Sequence, residues 1–127
     1  MSGPVVDYRT PIGRARGLGS AKSGTGHFWW QRVTAVILAL LVPYIVFLLA
    51  HIGGSDADSL RETIAKPWNA IIFTVFAIAL FWHAKLGLQV VIEDYIHDRA
   101  MHLALRILLI LGSLVGLLSA IYAIARI

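Results

Sequence analysis

His83 stands inside a long apolar run, and an Asp94-Tyr95 pair follows it eleven residues on, within HAKLGLQVVIEDYIH. On an α-helix, eleven steps of about 100° return to within about 20° of the starting face and advance about 16 Å along the axis. Leu86, Gly87, Val90 and Asp94 therefore share one stripe with His83. With Asp94 and Tyr95 at a membrane boundary, that distance sets His83 near the bilayer midplane. Gly87, one turn away, removes bulk beside the imidazole, as a flat ligand requires. An imidazole at that depth has three uses: it can coordinate a haem iron, relay protons or hydrogen-bond a neighbouring helix. Residue types and spacing leave all three open.

The Asp94-Tyr95 pair is equally two-sided. Acids and aromatics at a helix end are ordinary interface residues, but a phenol can donate to a quinone carbonyl and a carboxylate can orient the phenol or pass protons. No second histidine reaches the depth of His83. His51 falls at the far end of the first apolar run, and His27, His97 and His102 fall at the surface on the Tyr95 side. A haem held by two axial histidines would take its other ligand from another subunit. Lys85 points about 200° away from His83 around the helix, where its stem can snorkel or reach a partner. The residues assign it no role.

Three apolar runs must position these groups: residues 33–52, 68–92 and 107–125. A hydrocarbon core about 30 Å thick needs roughly 20 helical residues, so each run predicts a transmembrane helix. Gly53-Gly54 closes the first, and Lys66-Pro67 opens the second. Pro43, inside the first, is tolerated in a membrane helix. The bulk composition agrees: of 127 residues, 58% are hydrophobic and 14% charged, and the mean hydropathy is +0.76. A soluble domain averages about 45–50% apolar and about 25% charged, and one this short buries only about 60–70% of its unfolded surface. The fold class expected is an all-α membrane protein. Gly112 and Gly116, spaced G-x-x-x-G in the third run with Ala120 beyond, mark a face for close helix packing.

The basic residues give a topology. With the N-terminus inside, Arg9, Arg14, Arg16, Lys22, Arg32, Arg99 and Arg106 lie on the inner side, against Arg61, Lys66 and Arg126 on the outer. Seven against three favours N-terminus inside and C-terminus outside. Confined to the ends of apolar runs, this charge argues for topology rather than nucleic-acid binding. Residues 1–32 hold six of the eleven glycines and five basic residues, which predicts an extended arm, disordered alone, before a membrane domain at 33–127. The absence of cysteine excludes a disulfide, a thiolate zinc site or a cysteine-held cluster in this chain. The first apolar run starts too late for a cleavable signal peptide.

His83 and Asp94-Tyr95, with the arm RTPIGRARGLGSAKSGTGHFWWQRVTA and three helices, resemble the smaller hydrophobic membrane anchor subunit of succinate dehydrogenase, respiratory complex II, of the alphaproteobacterial and mitochondrial type. The likeness spans nearly the whole chain. It implies a multi-pass subunit of a bacterial or mitochondrial inner membrane, not catalytic alone. Its partners would be a second, cytochrome b-type anchor, an iron–sulfur subunit and a flavoprotein. FAD and the iron–sulfur clusters would sit in those partners, and a b-type haem would be shared between the anchors. Electrons from succinate would reach ubiquinone, joining the tricarboxylic acid cycle to the respiratory chain. By the same resemblance His83 matches an axial haem ligand, Tyr95 the quinone-bonding phenol and Asp94 its acidic neighbour. Arg32, with His27 near it, matches the support for a haem propionate or the quinone side. Arg32 also reads as a positive-inside anchor. The alternatives are a fumarate reductase anchor, a small transport or proton-relay subunit using His83, Lys85 and Asp94, and a structural scaffold built on the Gly112–Gly116 face.

Overall fold

A computed structural model describes residues 8, 10–16 and 24–127. Its elements are α1 (Pro11–Arg16), α2 (Gly24–Ile52), α3 (Ala57–Ala65), α4 (Pro67–Tyr95) and α5 (Arg99–Arg126). Among the described residues there is no strand. The helices α2, α4 and α5 are each long and apolar enough to cross a membrane, as the three apolar runs predict. The rest of the predicted arm, residues 1–7, 9 and 17–23, lies outside the described residues.

All three helices begin before their apolar segments, and α4 and α5 also run past the far ends. Residues 24–32, assigned to the arm from composition, form the first turns of α2. Gly24 and Gly26 fall where backbone N–H groups have no intrahelical partner, so their weak helix propensity costs little there. At 29 residues, α2 and α4 each extend about 43 Å at 1.5 Å per residue. That length crosses the hydrocarbon and both headgroup layers. His27 and Arg32 thus ride on a membrane helix rather than on a tail.

The predicted boundaries have local causes. Helix α2 ends at Ile52, and Gly54 turns the chain away at φ 96°, a left-handed conformation that glycine adopts without steric cost. Pro67 occupies the first turn of α4, where its missing N–H is no loss. Pro43 lies inside α2 without ending it. Two caps were not anticipated. Asp56 accepts from the backbone N–H of Ser59 (3.3 Å) to start α3, and Asp98 accepts from that of Met101 (3.0 Å) to start α5. Hydrogen bonds from the Ser59 hydroxyl and backbone hold the Asp56 carboxyl below its ordinary value.

Helix α4 is central, packing against α2, α3 and α5. Its buried residues are Asn69, Ala77, Ala79 and Leu86; small side chains let neighbouring backbones approach. On α5, a Cβ added to Gly116 would collide with the Phe81 ring, coming within 2.9 Å of Cζ. Gly112 has open space beside it, so only Gly116 of the predicted pair packs closely within this chain.

Among the described residues two polar ones are buried, Thr34 and Asn69, and each bridges α2 to α4. The Tyr44 hydroxyl donates to Asn69 Oδ1 (2.8 Å), and Asn69 Nδ2 donates to the Thr63 carbonyl (2.8 Å). One amide therefore ties α2, α3 and α4 together. Interhelical hydrogen bonds in membranes average about 0.6 kcal/mol and reach about 1.7. Asn69→Ala is accordingly expected to lower stability by about 1 kcal/mol, read as an earlier unfolding midpoint in mild detergent. An unshifted midpoint would remove this clamp from the account.

Candidate functional site

Helix α4 runs unbroken from Pro67 to Tyr95, so the stripe from His83 to Asp94 exists on one continuous helix. Its α2-facing part is a groove of about 430 Å³ lined by His27, Phe28, Gln31, Arg32, Gly87 and Val90. The first four come from the opening turns of α2; the last two belong to the stripe. Gly87 leaves room there: a Cβ at this position would find only the Gln31 Nε2 atom, at 3.8 Å. His27 Nε2 and Gln31 Oε1 are buried without a hydrogen-bond partner among the described residues. Buried polar atoms in that condition are costly, and a polar group lying in the groove would relieve them.

One turn deeper, His83 Nδ1 lies 3.0 Å from Thr34 Oγ1. The same hydroxyl lies 2.7 Å from the Trp30 carbonyl and 3.2 Å from that of Gln31. Trp30 also stacks on Trp82, with centroids 4.5 Å apart and planes at 25°, holding the two helices in register beside the histidine. Among the described residues, His83 Nε2 has no partner.

At the end of α4, Asp94 and Tyr95 are exposed, Tyr95 being 75% accessible. Neither makes a hydrogen bond or ion pair among the described residues. Glu93 accepts from Gln89 (2.9 Å), so the adjacent acid is engaged along its own helix. The Arg32 guanidinium lies over the Phe28 ring, 5.1 Å from its centroid, at the mouth of the groove. The structure thus gathers His27, Arg32 and Gly87 around one groove. It leaves Asp94 and Tyr95 on the rim end of α4, and Gly112 and Gly116 on the far helix.

Lys85 faces the other way. It lines two apolar grooves of about 250 and 520 Å³ between α4 and α5, both including Ser113. His83 meets α2 instead, so a relay through His83, Lys85 and Asp94 is not brought together in this fold. Thr34 and Gln31 escaped the sequence reading. Their only sequence signal was polarity at the start of an apolar run, one helical turn apart.

A fit to a haem can be judged from the donors present. A partly buried imidazole with one nitrogen engaged and the other uncommitted is suited to iron. Beside it stand a glycine, a groove, two unpaired buried polar atoms and a guanidinium able to meet a carboxylate. These residues fit the group.

Residues 6–121 match the family model described as succinate dehydrogenase/fumarate reductase transmembrane subunit. The chain is 36% identical over 120 residues to the succinate dehydrogenase hydrophobic membrane anchor subunit of Rickettsia bellii, covering 94% of this chain and 96% of that one. It is 34% identical over 119 residues to the subunit of the same name from Paracoccus denitrificans, covering 94% and 92%. The Coxiella burnetii anchor subunit is 29% identical over 102 residues, covering 72% and 80%. With three helices able to span a membrane and a match across nearly its whole length, this multi-pass membrane protein belongs to the family of succinate dehydrogenase and fumarate reductase transmembrane subunits.

Proposed function

We propose that the chain is the smaller membrane anchor of a succinate:ubiquinone oxidoreductase and contributes one side of its haem and quinone sites. The observation that carries the reading is His83: partly buried in a membrane-spanning helix, tied to α2 through Nδ1 and uncommitted at Nε2. His83 would hold a b-type haem through its free imidazole nitrogen, with the second anchor contributing the other ligand. Arg32 and His27, at the groove, would meet its propionates or the quinone side. Bound there, such a haem takes up and gives back one electron. Tyr95 would donate its phenolic hydrogen to a quinone carbonyl, and Asp94 would orient that phenol or deliver protons.

The arm and the inner ends of α2 and α4 would face an iron–sulfur subunit and a flavoprotein, which hold the clusters and FAD. The seven-to-three distribution of basic residues supports that orientation, in a bacterial or mitochondrial inner membrane. A glycine-rich segment gains order most readily against a large partner. Phospholipid covers the remaining apolar surface.

Purification of the tagged chain in mild detergent tests the whole reading. The expected result is co-purification of three further subunits with a b-type absorption spectrum and succinate-dependent quinone reduction. A chain that purifies alone, without haem, and that conducts ions in proteoliposomes would instead establish the relay.

A further inference from the structure

We infer that Thr34 is a positioning residue that holds His83 as the Nδ1–H tautomer, leaving the Nε2 lone pair for iron. The inference rests on the reading of His83 as a haem ligand and adds what prepares it. Thr34 is 2% exposed, so water cannot compete for its hydroxyl. That hydroxyl carries one hydrogen and has three neighbours: two backbone carbonyls and an imidazole nitrogen. Carbonyls only accept. The shortest contact, 2.7 Å, is to the Trp30 carbonyl, four residues back, which is the usual bond of a threonine inside a helix. With its hydrogen committed there, the oxygen can only accept from His83 Nδ1 at 3.0 Å. The ring must then carry its proton on Nδ1, because a bare Nδ1 would set two lone pairs against each other in a buried contact.

The consequences follow from ligand chemistry. The hydrogen bond at one nitrogen decides which nitrogen is free to bind a metal. An Nδ1–H donating to oxygen also orients the ring and raises the basicity of Nε2, and such outer partners typically contribute about 10–100-fold to metal affinity or activity. The Trp30–Trp82 stack fixes the separation of α2 and α4 on which this bond depends. Thr34 therefore acts through His83.

The test compares Thr34→Val and Thr34→Ser in the assembled, purified complex. Three readouts report the haem: its midpoint potential, the ferric low-spin EPR signal, and the rate of haem transfer to added apomyoglobin. Valine keeps the shape and deletes the acceptor, so it should raise the potential, shift the largest g value and speed haem transfer roughly tenfold or more. Serine keeps the hydroxyl and its back-bond, and should return all three toward wild type. Should the valine complex fail to assemble, Thr34→Ala takes its place with the same readouts. Wild-type behaviour of the valine or alanine variant overturns the inference, as do equal shifts in valine and serine, which would indicate packing alone. His83→Ala separates the two levels. A haem unchanged by that substitution overturns the ligand reading beneath; a haem altered by it but indifferent to Thr34→Val overturns only the role of Thr34.

Discussion

Replacement of His83 by alanine is expected to change the b-type spectrum of the assembled complex and to weaken haem binding by more than the roughly 10–100-fold typical of losing an outer-shell partner. The side chain sits at the α2–α4 contact, where its only hydrogen bond among the described residues is to Thr34. Alanine therefore removes the candidate iron donor and leaves a small cavity without breaking a network. The Thr34 hydroxyl stays satisfied by the Trp30 carbonyl, so the structural cost is modest beside the chemical one. Optical spectra and haem-to-protein ratios measure the first effect; succinate oxidation with an artificial electron acceptor measures the second, since flavin and clusters belong to the partners in the proposed complex. The expected pattern is a perturbed haem with that oxidation intact. An unchanged spectrum and iron content would rule out His83 as a ligand.

Tyr95→Phe is expected to slow quinone reduction by about 10–100-fold, the loss that follows from deleting a hydrogen bond worth about 1.5–3 kcal/mol to a charge-bearing acceptor. The geometry makes this substitution clean. Tyr95 is the last residue of α4, 75% exposed, and its hydroxyl supports nothing among the described residues. Exposed changes of this kind shift stability by no more than about 0.5 kcal/mol. Assembly, haem content and oxidation with the artificial acceptor should all hold while quinone turnover falls. Quinone turnover at the wild-type rate would remove the phenol from the site.

Much of this architecture was legible because it depends on one helix at a time. The stripe from His83 to Asp94 needs only helical periodicity, and α4 continues without interruption across it. Gly54 and Pro67 mark helix ends through their own backbone chemistry. What was hidden depends on how two helices meet. The Thr34 hydroxyl and the His83 ring are 49 residues apart, and no pattern along either helix says that they face each other. The same holds for Tyr44 with Asn69 and for Gly116 against Phe81. Helix α2 begins ahead of its apolar run for another reason: hydropathy marks where lipid begins, whereas the hydrogen-bonded ladder continues through polar residues such as His27 and Gln31. Lys85 gained a direction, toward Ser113 and the α5 grooves, only when the third helix was in place.

Helix α5 carries no buried residue at all, and α2 and α5 lean on α4 more than on each other. This imposes an uneven grammar of substitution on the chain. Along α4, side-chain volume is what matters, because Ala77 and Ala79 have helices pressed against them. Along most of α5, only fatty character matters, and one aliphatic residue can stand for another. A library of random variants should therefore drift freely in size on α5 while keeping its hydropathy, with Gly116 as the fixed letter in an otherwise permissive line.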